Sequence, residues 1–103
     1  MTDAPVIAVN IIDVAPERQQ ELVELIREGS EEVFGPLPGF QSSTLFVSQD
    51  GTRVVNIAHW ESMDAVKAVQ GNPEAAAFGP RVAALGTYTV GLYRKVYTYG
   101  RES

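Results

Sequence analysis

Val54-Val55-Asn56-Ile57-Ala58-His59-Trp60-Glu61-Ser62 is a β-branched run that ends on a helix-capping serine. Strand side chains alternate between faces, so Val54, Asn56, Ala58 and Trp60 share one face while Val55, Ile57 and His59 share the other. Both sets are largely apolar, the pattern of a strand covered on both sides rather than wet on one. Upstream, Phe40 to Ser48 alternates around Thr44, Leu45, Phe46 and Val47, and Asp50-Gly51 supplies a tight turn. The two runs form a hairpin.

Working outward, Val6-Ile7-Ala8-Val9-Asn10-Ile11-Ile12 reads as a first strand, again apolar on both faces. Pro16 marks a helix start, and Leu22, Leu25, Ile26, Gly29 and Val33 then recur at helical spacing opposite Glu21, Glu24, Glu28 and Glu31. This predicts an amphipathic helix of about four or five turns. Gly35-Pro36-Leu37-Pro38-Gly39 ends it. Ser62 caps a short helix carrying Met63, Val66 and Val69 and closed by Gly71, and Asn72-Pro73 starts another. Gly79-Pro80 is expected to interrupt that second helix, since proline disfavours helical geometry in the residue before it. Tyr88 to Tyr99 reads as the last strand, with Gly91 as a bulge.

The order strand, helix, strand, strand, helical segment, strand is the split βαβ arrangement of an α+β, ferredoxin-like domain with a four-stranded antiparallel sheet. One such domain accounts for residues 1–103. Its helices cover one face of the sheet, yet the other face is also apolar. The simplest cover is the same face of a second copy, which predicts a homodimer closed into an α+β barrel.

Composition narrows the function. A formal net charge of −5 opposes binding to nucleic acid or anionic lipid. No apolar run reaches membrane-spanning length, and Met1-Thr2-Asp3-Ala4-Pro5 lacks the basic start of a signal peptide. With no cysteine, disulfides and thiolate metal sites are out, and the expected setting is the cytoplasm. A single histidine, His59, excludes a site built on two imidazoles.

What remains is amide and aromatic chemistry. Asn10 is a lone amide among aliphatic neighbours, and Asn56 shares a wall with Trp60. A buried amide without a partner costs about 1–3 kcal/mol, so each asparagine must bond to the other, to backbone, to water or to a ligand. Singly, each is as well explained by pinning a strand, Trp60 by core filling, and His59 by a place at an interface or rim.

Taken together, Pro38-Gly39-Phe40, the Asp50-Gly51 turn and the run from Val54 to Ser62 resemble the antibiotic biosynthesis monooxygenase family over nearly the whole chain. Trp60-Glu61-Ser62 is the most specific part. Within the family the chain is most similar to the cofactor-independent anthrone oxygenases of aromatic polyketide biosynthesis. Those carry a first-strand asparagine and a third-strand Asn-x-x-x-Trp, matched here by Asn10, Asn56 and Trp60. The resemblance implies that these three are catalytic, that Phe40, Phe78 and Arg81 contact a small aromatic substrate, and that dioxygen is co-substrate with no metal or other cofactor. It argues against the haem-degrading branch, which needs a histidine on the later helix, and none lies between Pro73 and Leu85. The tyrosine that some anthrone oxygenases carry on the short helix is replaced by Val66, and Arg81 is alternatively a solvated surface charge. Two non-oxidative readings share the scaffold: a polyketide cyclase or carrier, and a ligand-binding module without turnover.

Overall fold

The computed structural model describes residues 5–101, so the expectation that Met1-Thr2-Asp3-Ala4-Pro5 is not a signal peptide falls largely on residues outside those described. The elements are β1 (Val6–Val14), α1 (Gln19–Gly29), β2 (Phe40–Val47), β3 (Arg53–Trp60), α2 (Met63–Gln70), α3 (Pro73–Ala83) and β4 (Gly86–Tyr93). A 3-10 turn, Pro16–Arg18, leads into α1, and a π turn, Ser30–Phe34, continues it. The sheet order is β2-β3-β1-β4 with every pair antiparallel, as the split βαβ reading requires.

Local chemistry sets most boundaries as the sequence suggests. Ser62 Oγ accepts from Ala65 N at 3.1 Å and Asn72 Oδ1 accepts from Ala75 N at 3.0 Å, so each cap satisfies an orphan N–H of α2 or α3. At the hairpin, Gly51 takes a φ of +81°, which favours glycine, and Asp50 gathers Ser48 and Thr52 around its carboxylate.

Three expectations are corrected. Helix α3 runs unbroken through Pro80: Ala84 N donates to Pro80 O at 3.0 Å, and Gly79 has no Cβ to collide with the proline ring. The carbonyl that loses its partner belongs to Ala76, on the exposed side. Second, β4 stops at Tyr93, because residues 94–101 find no neighbouring strand within the chain. Third, Gly91 pairs with Val9 without a register shift, and the irregularity lies instead in β2, between Phe40 and Ser42.

The helices pack on one face only. Ile12, Val14 and Val54 meet Leu22, Ile26, Phe78 and Val82, while Ala8, Ala58 and Trp60 form a second cluster with residues of α2 and the α1–β2 connection. Phe34 bridges the two clusters. The opposite face carries Ile7, Val9, Ile11, Val55, Ile57 and Phe46, which within one chain are half-buried or exposed.

Candidate active site

Between the clusters the helix-covered face stays open, leaving a cavity of about 330 Å³. Ala8, Asn10 and Ile12 of β1 form its floor with Asn56, Ala58 and Trp60 of β3, flanked by Tyr88, Val90 and Leu92 of β4. Its roof is built from Ile26, Ser30 and Phe34 on one side and from α2 and α3 on the other. Ile26, Ser30 and Phe34 are spaced four apart, and the wider π turn offsets the angular drift such steps accumulate in an α-helix, so all three line the cavity.

The three predicted catalytic residues converge. Asn10 and Asn56 are Cα partners in the β1–β3 ladder, and Asn10 Nδ2 donates to Asn56 Oδ1 at 3.3 Å. Asn56 is 8% exposed and donates through Nδ2 to Ser43 Oγ at 2.7 Å and to Thr44 O at 3.3 Å. Trp60 is buried and stands edge-on to Phe40, with ring centroids 5.3 Å apart. Phe78 lines the far wall and meets Phe34 edge-to-face at 5.4 Å. Val66 takes its expected place on the lining.

Arg81 is the exception. It lies outside the cavity, where Nη2 pairs with Glu28 Oε1 at 3.6 Å and the guanidinium sits 5.7 Å from the Phe78 ring centroid. One helical turn separates it from Phe78, and α3 presents it to solvent beside α1. His59 points to the uncovered face, as alternation requires, with Nδ1 3.3 Å from Ser42 Oγ.

Sequence reasoning missed Ser30, Ser43 and Gln70 on the lining, and placed Tyr88 only as the start of a strand. Ser43 was masked by the β2 irregularity. Strict alternation from Phe40 would turn Ser42 and Thr44 inward, but Phe40 pairs with Trp60 and Ser43 with Ala58, so a bulge puts Phe40 and Ser43 on one face. Among the described residues, every side chain lining the cavity is uncharged: amides, hydroxyls, the indole and hydrocarbon. The site can therefore hold a flat apolar molecule and hydrogen-bond its oxygens, while proton traffic must use the ligand itself or these neutral groups.

A family model described as antibiotic biosynthesis monooxygenase matches residues 5–81, which takes in β1, the α1–β2 connection, the hairpin and the Trp60-Glu61-Ser62 segment. The chain belongs to the antibiotic biosynthesis monooxygenase family. It is 40% identical over 65 residues to tetracenomycin-F1 monooxygenase of Streptomyces glaucescens, a match covering 63% of this chain and 58% of that protein. Among solved structures, a Streptomyces coelicolor monooxygenase from the gene ActVA-Orf6, in complex with nanaomycin D, is 30% identical with a TM-score of 0.86, covering 96% of this chain and 94% of that one. SnoaB of Streptomyces nogalater, described as a cofactor-independent oxygenase, is 27% identical with a TM-score of 0.77, covering 94% of this chain and 98% of that one.

Proposed function

We propose that this family member is a cofactor-independent monooxygenase of aromatic polyketide biosynthesis, converting an activated phenolic polycycle of the anthrone type to the quinone with dioxygen. The observation that carries the reading is the placement of two amides and an indole in an otherwise apolar, uncharged cavity. A pocket of about 330 Å³ is at the small end of the range for organic ligands, suited to a flat ring system. The names of tetracenomycin-F1 monooxygenase and SnoaB, and the ligand in the ActVA-Orf6 structure, support the same chemistry.

An anthrone carries an acidic ring methylene and supplies the electrons itself, so the protein need only bind, orient and stabilise. The methylene loses a proton, the enolate carbon forms a C–O bond with dioxygen, and the hydroperoxide expels water as the second hydrogen leaves. The net change is CH2 plus O2 to C=O plus H2O. Asn10 keeps an N–H for the substrate's ketone oxygen, which bears more charge in the enolate than in the ketone; a donor fixed there favours the charged state, the condition for acceleration. Asn56 keeps one carbonyl lone pair for a phenolic O–H. Trp60 and Phe40 flank the rings, Phe78 closes the far wall, and the apolar enclosure keeps water from the enolate.

The functional unit in this reading is a homodimer. The uncovered sheet face and the segment after β4, where Val96 is 81% and Tyr99 89% exposed, are apolar surface that a second copy would cover. Oxygen uptake by metal-free protein with a panel of anthrones and naphthols tests the function. Stoichiometric uptake with quinone formed supports it; ligand recovered unmodified with no uptake would move the protein to the cyclase or carrier reading.

A further inference from the structure

The hydrogen bonds around Asn56 have a directionality that singles out a residue with no role so far. A side-chain amide has two N–H donors on nitrogen and two lone pairs on oxygen. Asn56 spends both donors inside the protein, one on Ser43 Oγ and one on the Thr44 carbonyl. The reverse orientation is forbidden, since it would aim Asn56 Oδ1 at the Thr44 carbonyl, acceptor against acceptor. Asn56 Oδ1 is thereby turned toward β1, and Asn10 must answer with an N–H. That fixes Asn10 in turn, leaving its carbonyl oxygen and second N–H for the cavity that it lines.

Of the bonds that hold the two amides Ser43 makes the shortest, at 2.7 Å, and it is itself held by Ser30, whose Oγ lies 3.2 Å away. Ser30 belongs to the π turn and Ser43 follows the β2 bulge, so two local irregularities of the backbone bring these hydroxyls together at the cavity wall.

We propose that Ser43, braced by Ser30, is a positioning residue that holds the amide of Asn56 in the orientation the Thr44 carbonyl selects and, through it, fixes the edge of Asn10 that meets the substrate. The oxygenase reading enters only through the turnover measurement below; the orientation of the amides is read without it. Removing the Ser43 hydroxyl leaves one Asn56 N–H without its acceptor, so the amide keeps only its bonds to Thr44 O and Asn10, and Asn10 loses a firmly held partner.

The test compares wild type with Ser43→Ala, Ser43→Thr and Ser30→Ala in two measurements. The first is the side-chain amide 1H–15N spectrum of the ligand-free protein, with signals assigned through Asn10→Asp and Asn56→Asp. Ser43→Ala is expected to move the signals of both asparagines, including Asn10, which Ser43 does not bond; Ser30→Ala should move them less, and Ser43→Thr should restore them. The second is oxygen uptake on a dihydroxyanthrone whose phenols flank the ring ketone. Here Ser43→Ala should lower kcat roughly five- to tenfold at nearly unchanged KM, the loss expected when one hydrogen bond no longer aligns a donor, and Ser43→Thr should recover most of it. Unmoved Asn10 signals in a folded Ser43→Ala protein would overturn the proposal. So would a kcat equal to wild type, or a Ser43→Thr variant as impaired as Ser43→Ala in both measurements. If wild type consumes no oxygen, the function reading fails, while the amide spectra still decide the role of Ser43.

Discussion

Asn10 and Asn56 occupy one rung of the β1–β3 ladder and join through a single hydrogen bond of 3.3 Å, so two amides from distant sequence positions act as one polar patch in an apolar cavity. Truncating either should hurt turnover far more than folding. Asn10→Ala and Asn56→Ala are each expected to lower kcat by at least about tenfold, and the double variant should lose less than the product of the two, because the residues work as a unit. Steady-state oxygen uptake on an anthrone checks this, with thermal melts confirming that the variants fold.

Trp60 is the sole tryptophan and lies against Phe40 at the cavity wall. Its fluorescence therefore reports the pocket alone, and a bound polycycle should quench it saturably. Trp60→Ala removes a buried ring and is expected to cost about 3–5 kcal/mol of stability. Trp60→Phe keeps aromatic packing and should cost less while raising KM several-fold, separating the two roles of the indole in denaturant melts and kinetics.

The sequence made the frame legible because strand alternation and capping side chains act locally. Val54, Asn56, Ala58 and Trp60 fell on one face from spacing alone, and Ser62 and Asn72 marked their helices through a bond three residues long. What escaped depended on context. A bulge carries no fixed sequence mark, so Ser43 could not be placed; Pro80 sits where its lost hydrogen bond falls on an exposed turn; and Arg81 pairs with Glu28 of α1, a contact between helices distant in sequence. The last strand read too long because Val96, Tyr97 and Tyr99 have strand composition but no neighbour within the chain.

Gly29 shows how closely α1 approaches α3. A Cβ there would run into the ring of Phe78, which is buried in the core. Gly29→Ala gains helix propensity worth about 1 kcal/mol, whereas overpacking a core ring costs about 1–3 kcal/mol. The clash should win, giving a net loss of up to about 2 kcal/mol in urea melts, and the displaced Phe78 should narrow the cavity and weaken ligand binding measured by Trp60 quenching.

Asp50 organises the hairpin turn by accepting from Thr52 Oγ1 at 2.7 Å, Thr52 N at 3.0 Å and Ser48 Oγ at 2.8 Å. These bonds, those from Thr52 first, pull its carboxyl down from 3.8 to about 2. A group whose folded pKa is depressed stabilises the fold above its unfolded pKa and loses that contribution as pH falls through the folded one. Asp50→Ala should therefore have a lower urea midpoint than wild type at neutral pH, with the gap constant down to about pH 4 and closing toward about pH 2.

The uncovered sheet face sets the last expectation. Ile57 stands at its centre, paired with Val9 on one side and Thr44 on the other, and Ile11, Phe46 and Val55 extend the apolar surface around it. If a second copy covers this face, a carboxylate at position 57 would be buried there without a counter-ion in both subunits, a cost that opposes association far more than it opposes folding of one chain. Ile57→Glu is thus expected to sediment as a monomer at concentrations where wild type sediments as a dimer. Wild-type thermal stability should also rise with protein concentration while that of the variant stays flat, since only association carries a concentration term. A wild-type chain that sediments as a monomer, or an Ile57→Glu variant that remains dimeric, would mean that this face is not where two copies meet.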